Sequence, residues 1–342
     1  MKAFIDQLAR GEHLTEAQAE AAMHAMMEGT ASPVMIAAYL TLLRTLGETI
    51  EELTGSARAM RAHALPVVVD PTGLVDTCGT GGDHSGTFNI STAASFVAAS
   101  GGVRVAKHGN RAASSLTGSA DVLEALGITT SLTPAQAARC LEETGFCFLF
   151  AQTYHPAMKH VAPIRRELGY RTMFNVLGPL TNPASPQRQV LGTPSGEIAQ
   201  KMASVLAALG TEHALVVHAA DGLDEISIAA PTRVFEVRGN TVESYAITPE
   251  TFGVARHTLD DIRGGDAVQN AEMIERILNG QPGAARDVVV INAAAALYVA
   301  GRAPTLADGA TLAQQLIDDG AARKTLMRIV DFSQSIVKEV GA

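Results

Sequence analysis

Residues 75–83 read Val75-Asp-Thr-Cys-Gly-Thr-Gly-Gly-Asp83, and three segments continue the pattern: Asn89-Ile-Ser-Thr92, Lys107-His-Gly-Asn-Arg111 and Gly118-Ser-Ala-Asp121. Two short apolar runs, ending near Thr77 and Ala106, each enter a loop of glycine and small polar residues. Each loop enters an Ala-rich helical pattern, at 92–100 and 120–126. Strand, loop and helix thus occur twice, which puts both loops at the carboxyl edge of a parallel sheet. Open α/β sheets bind ligands at that edge. Glycines let backbone N–H groups approach a ligand, hydroxyls donate hydrogen bonds, and helix N-termini carry positive partial charge. Lys107 and Arg111 add full charges. This chemistry suits a phosphate-rich ligand.

The rest of the composition narrows the class. Of 342 residues 47% are apolar but only 4% aromatic, with no Trp, so the core must be built from closely packed Ala, Leu, Val and Ile. Asp plus Glu (35) exceeds Lys plus Arg (26), giving a net charge of -9. That balance argues against a dedicated nucleic-acid binder, whose footprint is basic. Cys78, Cys140 and Cys147 form no CxxC pattern, which predicts a reduced, cytoplasmic setting. Residues 1–10 interleave charges with apolar residues and lack a signal-peptide core. The uncharged apolar run at 288–300 is too short to span a bilayer and predicts a buried helix, with no membrane partner.

Residues 1–65 predict a small helical domain. Thr15 opens a helical segment that runs to Glu28 and closes at Gly29. Ser32-Pro33 supplies an N-cap and a proline at the first helical position, and Gly47 ends that helix. Thr49-Ile-Glu-Glu52 fits a capping box for a helix reaching about His63. Composition shifts at 65–71. Beyond it, strands predicted at 74–77, 102–106, 146–150, 190–192, 213–218 and 233–237 alternate with helices at 134–143, 195–209, 268–278, 285–300, 306–318 and 321–340. Alternation of this kind predicts a mostly parallel sheet covered by helices, in an α/β domain of residues 70–342. Segments 156–168 and 172–177 are helical in pattern with no strand between them. The expectation is that 156–184 joins the N-terminal helices, leaving a cleft between the two domains.

Each chemical motif also has a plainer reading. Gly79-Thr-Gly-Gly-Asp83 is neither a Walker A loop nor a GxGxxG fingerprint, and a lone Gly-rich turn is common. Asn89-Ile-Ser-Thr92 fits ordinary N-capping as well as an anion site. Lys107-His-Gly-Asn-Arg111, followed by Ser114, Ser115 and Ser119, reads as a phosphate cradle rather than a solvated loop. Asp224-Glu225 is either an acidic surface turn or a Mg²⁺ site, since that hard cation takes a few carboxylates plus substrate phosphates. No His/Cys set has zinc spacing, and no GxSxG elbow accompanies the Ser, His and Asp residues. On the helical segment at 156–168, Arg165 and Arg166 are solvated unless one faces the cleft, where it can hold a carboxylate in bidentate fashion.

Taken in order, these motifs with Asp224-Glu225 and Phe174-Asn-Val-Leu-Gly-Pro-Leu-Thr-Asn-Pro183 resemble the anthranilate phosphoribosyltransferase family over nearly the whole chain. The resemblance implies a helical domain joined to an α/β domain of the nucleoside phosphorylase/phosphoribosyltransferase type, a homodimer, and Mg²⁺. It implies transfer of a 5-phosphoribosyl group from phosphoribosyl pyrophosphate to anthranilate in tryptophan biosynthesis. By position, Gly79, Gly82, Asp83, Thr87, Asn89, Ile90, Ser91 and Thr92 would hold the donor. Lys107, His108, Gly109, Asn110, Arg111, Ala112, Ala113, Ser114, Ser115 and Ser119 would cover it. Gly79, Asn110 and Arg165 would meet anthranilate with His108 nearby, and Ser91, Asp224 and Glu225 would bind metal. No general base is assigned. Leu116 stands where many members carry a basic residue, which lowers the charge of that loop. Two alternatives remain at this stage: an enzyme like a pyrimidine nucleoside phosphorylase, and a non-catalytic relative that binds nucleic acid.

Overall fold

The computed structural model describes residues 1–112 and 116–339. Its centre is a seven-stranded sheet of β1 (Leu74–Asp76), β2 (Arg104–Gly109), β3 (Phe146–Phe150), β4 (Arg188–Gly192), β5 (His213–Ala219), β6 (Thr232–Arg238) and β7 (Thr241–Ile247). The strand order is β3-β2-β1-β4-β5-β6-β7. Pairings among β1 to β5 are parallel, and β6 and β7 add antiparallel pairs.

Two features depart from the sequence expectation. Strand β2 runs to Gly109, because Lys107, His108 and Gly109 pair in register with Phe148, Leu149 and Phe150 of β3. Lys107 and His108 therefore lie on a strand, not in the loop after it. Strand β7 has no counterpart in the reading, since Thr241–Ile247 is an edge strand that buries only Ile247 and carries no apolar run. The signal that marks it is the two-residue turn Gly239-Asn240, with Gly239 at φ +55°.

Residue period sorts the two faces of the sheet. Val190, Leu215 and Val217 pack with the helices Ile90–Ser100 and Ala284–Val299. Their neighbours Leu191, Ala214 and Val216 point the other way, onto the helix Gly196–Ala208 and the N-terminal helices. Ala293, Ala294, Ala295 and Ala296 are all fully buried, so small side chains fill the interior that a chain poor in aromatics must pack.

The N-terminal helices are Lys2–Ala9, Glu16–Met27, Pro33–Leu46 and Ile50–Ala62. The capping box at the last is present: Glu52 Oε2 accepts from Thr49 N at 2.8 Å, and Thr49 Oγ1 accepts from Glu52 N at 3.1 Å. Glu52 is fully buried and stays satisfied because Oε1 accepts from Leu14 N at 2.9 Å. Val161, Ile164, Met173, Phe174, Leu177 and Leu180 lie in the same apolar cluster as Met23, Tyr39, Leu43 and Leu53. No described helix is long and apolar enough to cross a membrane.

Gly55 sets the distance between the helices Glu16–Met27 and Ile50–Ala62, since a Cβ there would lie 2.1 Å from the Glu16 carbonyl oxygen. Gly55→Ala is therefore expected to destabilise the fold by about 1–3 kcal/mol, the usual cost of overpacking. The denaturant midpoint measures it, and an unchanged midpoint contradicts the packing.

Candidate active site

The strand order reverses at β1 and β4, so their crossovers leave in opposite directions and open a crevice at the carboxyl edge. Three loops meet there, following β1, β2 and β5. The first and last of them approach the end of β4 so closely that glycine is needed at one contact and the other is tight. Thr80 N donates to Gly192 O at 2.9 Å, and a Cβ on Gly79 would lie 3.1 Å from the same oxygen. A Cβ on Gly192 would lie 1.5 Å from the Asp224 carbonyl oxygen. Gly192 is thus a site residue that the sequence reading passed over as a strand end.

Three carboxylates converge where these loops cross. Asp224 N donates to Asp83 Oδ2 at 3.3 Å, and Ser91 N donates to Glu225 Oε1 at 3.2 Å from the first turn of the helix Ile90–Ser100. Burial, then the negative charges of Asp83 and Glu225, holds the Asp224 carboxyl well above the usual carboxylate range. Burial also pushes Glu225 up to about 7, against the opposing pull of Lys107 and Ser91. Asp83, assigned by resemblance to the sugar diphosphate alone, therefore shares a cluster with the expected metal pair. The donors here are carboxylate oxygens, the type a hard divalent cation such as Mg²⁺ takes along with water and phosphate oxygens, so the residue types present fit it.

Lys107 sits beneath the crevice rather than in it. Its buried ammonium donates to Thr77 O at 2.9 Å, Thr77 Oγ1 at 3.2 Å and Ser91 Oγ at 3.1 Å. Asp76, unremarked in the sequence, is fully buried and pushed up to about 6 by desolvation. It accepts from His108 N at 3.1 Å and Asn182 Nδ2 at 2.9 Å, which joins β1 to β2 and to the segment after Gly178.

His108 is buried, with Nδ1 donating to Gly178 O at 3.1 Å and Nε2 unpartnered. A carbonyl only accepts, so the proton sits on Nδ1. Desolvation, with His155 next to it, pushes His108 down to about 3. Burial thus favours the neutral ring at neutral pH.

Arg111 is not free for a phosphate in this arrangement. It donates to Asp121 Oδ1 at 2.7 Å and to Glu124 Oε1 at 2.7 Å, over the Phe150 ring. Asn110 is exposed, and its carbonyl accepts from Ser119 Oγ at 3.2 Å and from Ala120 N. A Cβ on Gly109 would lie 2.4 Å from Ser119 Oγ. Ala112 N donates to Asp121 at 3.2 Å. Ala113, Ser114 and Ser115 fall outside the described residues. Leu116 is 83% exposed.

The far side of the first loop is pinned by the segment 262–270. Thr87 bridges to Arg263, Phe88 N donates to Ile262 O at 3.3 Å, and Asn89 accepts from Asn270 Nδ2 at 3.0 Å. Gly81 and Gly82 hold φ of +67° and +82°, which forms the turn before Asp83. Ile90 and Thr92 are buried, Ile90 within the apolar core.

Arg165, on the helix Ala162–Leu168, lies 5.2 Å from the centre of the Phe174 ring. No carboxylate among the described residues pairs with it, and burial alone holds its guanidinium below the usual value. Phe174 and Gly178 are four residues apart in consecutive helical turns, so Arg165 is tied through them to His108 at the edge of the crevice. Of two further concavities, of about 470 and 360 Å³, the first lies among Arg188, His213, Arg238 and Arg302, and the second is lined by Arg171, whose guanidinium donates to Gly82 O at 3.4 Å.

This arrangement is shared with known proteins. Residues 71–323 match the glycosyl transferase family a/b domain, and residues 2–64 match the helical bundle domain of the same family. The anthranilate phosphoribosyltransferase of Symbiobacterium thermophilum is 55% identical over 339 residues, covering 99% of each chain. The crystal structure of anthranilate phosphoribosyltransferase from Thermus thermophilus superposes with a TM-score of 0.91 at 45% identity, over 96% of this chain and 99% of that one. The Saccharomyces cerevisiae enzyme, solved in complex with PRPP and Mg, gives a TM-score of 0.89 at 27% identity over 97% of each chain. With both domains matched along their length, the chain belongs to the glycosyl transferase family, and within it to the anthranilate phosphoribosyltransferases.

Proposed function

We propose that the chain transfers the 5-phosphoribosyl group of phosphoribosyl pyrophosphate to the amine of anthranilate. The products are N-(5-phosphoribosyl)anthranilate and pyrophosphate, in a step of tryptophan biosynthesis. The observation that carries this reading is the cluster of Asp83, Asp224 and Glu225 set among the glycine loops at a helix N-terminus. Asp224 and Glu225, beside Ser91 and Asp83, would hold Mg²⁺, which would supply positive charge against the departing pyrophosphate.

The chain's own residues do the rest. The positive end of the helix that starts at Asn89 and the glycine turn before Asp83 favour the diphosphate, although Thr80 N, Ile90 N and Ser91 N are already bonded within the protein, and Thr87 and Ser119 would lie around it. Lys107 fixes Thr77 and Ser91 from below and offsets part of the acidic charge. Arg165, stacked on Phe174 and without a carboxylate partner of its own, orients the anthranilate carboxylate. The amine attacks the ribose carbon with its lone pair as the C–O bond to pyrophosphate breaks, and the resulting ammonium then passes its proton to water. Positioning carries much of the rate, and no activated protein nucleophile is required. His108 holds the segment at Gly178.

A homodimer and a cytoplasmic setting belong to the same proposal. Val34, 78% exposed on the helix Pro33–Leu46, offers apolar surface for a second copy, and three free cysteines suit a reducing compartment. The phosphorylase and nucleic-acid readings are less well supported, since the relatives named above are anthranilate phosphoribosyltransferases and the net charge is -9.

The direct test mixes purified protein, Mg²⁺, phosphoribosyl pyrophosphate and anthranilate and follows the loss of anthranilate fluorescence; fluorescence that persists overturns the proposal. Asp224→Asn combined with Glu225→Gln is expected to remove Mg²⁺-dependent turnover, by at least the ~10²–10³-fold that one preorganised electrostatic partner supplies. The circular dichroism spectrum should stay native, because neutral amides relieve repulsion. Arg165→Ala is expected to raise KM for anthranilate on the order of tenfold, the value of one charge-assisted hydrogen bond, with a smaller effect on the donor. The reverse pattern would move Arg165 to the phosphate side.

A further inference from the structure

A second cluster of ligating groups lies in the helical bundle, apart from the crevice. His24 and Glu28 stand four residues apart at the end of the helix Glu16–Met27, so they share one face. His63 is the C-cap of the helix Ile50–Ala62, which packs on that helix through Gly55. His24 Nδ1 lies 2.9 Å from His63 Nε2, and the two rings meet edge-on at 5.1 Å. One ligand atom from each of His24, Glu28 and His63 lies within 4.8 Å of the other two. Both imidazoles are half-buried, and Glu28 is exposed with no side-chain hydrogen bond or ion pair among the described residues.

We propose that His24, Glu28 and His63 form a Zn²⁺ site. Two imidazole nitrogens and one carboxylate oxygen are a donor set of three-ligand zinc sites, whose fourth position is taken by water. Imidazole donors favour zinc over magnesium, which takes oxygen ligands, so this cluster and the acidic one divide the two cations between them. Tetrahedral zinc with bonds of about 2.0–2.1 Å spaces its ligand atoms roughly 3.3 Å apart. The metal-free hydrogen bond between the rings therefore has to open by only a few tenths of an ångström, while the exposed Glu28 side chain swings in. A second, independent feature favours a cation here. Glu28 and His63 are both helix C-caps, so two helix C-termini direct negative partial charge at the site. Bound zinc ties the ends of the two helices together just before the chain leaves the bundle at Leu65, whose N–H donates to Tyr154 O.

The test titrates chelator-treated full-length protein with Zn²⁺ by calorimetry, in excess Mg²⁺ to saturate the acidic cluster. One zinc per chain is expected, with a melting temperature that rises on addition. His24→Ala and His63→Ala should each weaken that binding by at least the ~10–100-fold that even an outer-shell partner is worth, and should remove the thermal shift. Glu28→Gln alters an exposed, unpaired side chain, so it tests the site where the fold is not at risk; weaker zinc binding with unchanged Mg²⁺-dependent turnover is expected. Absence of zinc binding in the unaltered chain, or unchanged affinity in all three variants, overturns the proposal. Neither result depends on the transferase reading.

Discussion

Buried negative charge is the constraint around which this molecule is arranged. Asp83, Asp224 and Glu225 converge beside one buried ammonium group and the N–H groups of a helix start, which offset only part of their charge. Burying a carboxylate is costly unless it is paired or neutralised. The sheet supplies the means. Its order reversal brings the ends of β1, β4 and β5 side by side, so residues more than a hundred positions apart meet. The Mg²⁺ and phosphate ligand of the proposed function would relieve that cost.

Close approach is the second half of that arrangement. Gly192 is a glycine because a backbone carbonyl lies 1.5 Å from its Cβ position, and at Gly79 the nearest carbonyl is a tight 3.1 Å away. Asp76 works in the same direction from inside, holding His108 and Asn182 with its two oxygens. The loops around the crevice are thus braced from below by buried polar contacts and from the side by the segment 262–270. Prearrangement of this kind lets a reaction proceed through orientation and charge.

Local signals made most of the fold legible. The Thr49–Glu52 capping box, the Ser32-Pro33 start and the alternation of strands with helices are all written within a few residues, and the structure has them. What escaped was non-local or weakly patterned. Strand β7 shows water most of its length, so no apolar run announces it. Lys107 and His108 look like loop residues because polar side chains are rare on a central strand; only pairing with β3 keeps them there. Arg111 reads as a phosphate ligand until Asp121 and Glu124, ten and thirteen residues on, are seen to hold it. The contacts of Asp83 with Asp224, and of His24 with His63, span 141 and 39 residues. No spacing rule reaches that far.

The apolar cluster that runs from Met23 and Tyr39 through Phe174 to Leu191 and Val216 has a thermal consequence. The bundle and one face of the sheet share a single interior, with the helix Gly196–Ala208 between them. Neither part can melt without exposing the other's buried surface. Heating should therefore give one calorimetric peak whose van't Hoff and calorimetric enthalpies agree, although the chain carries two family domains.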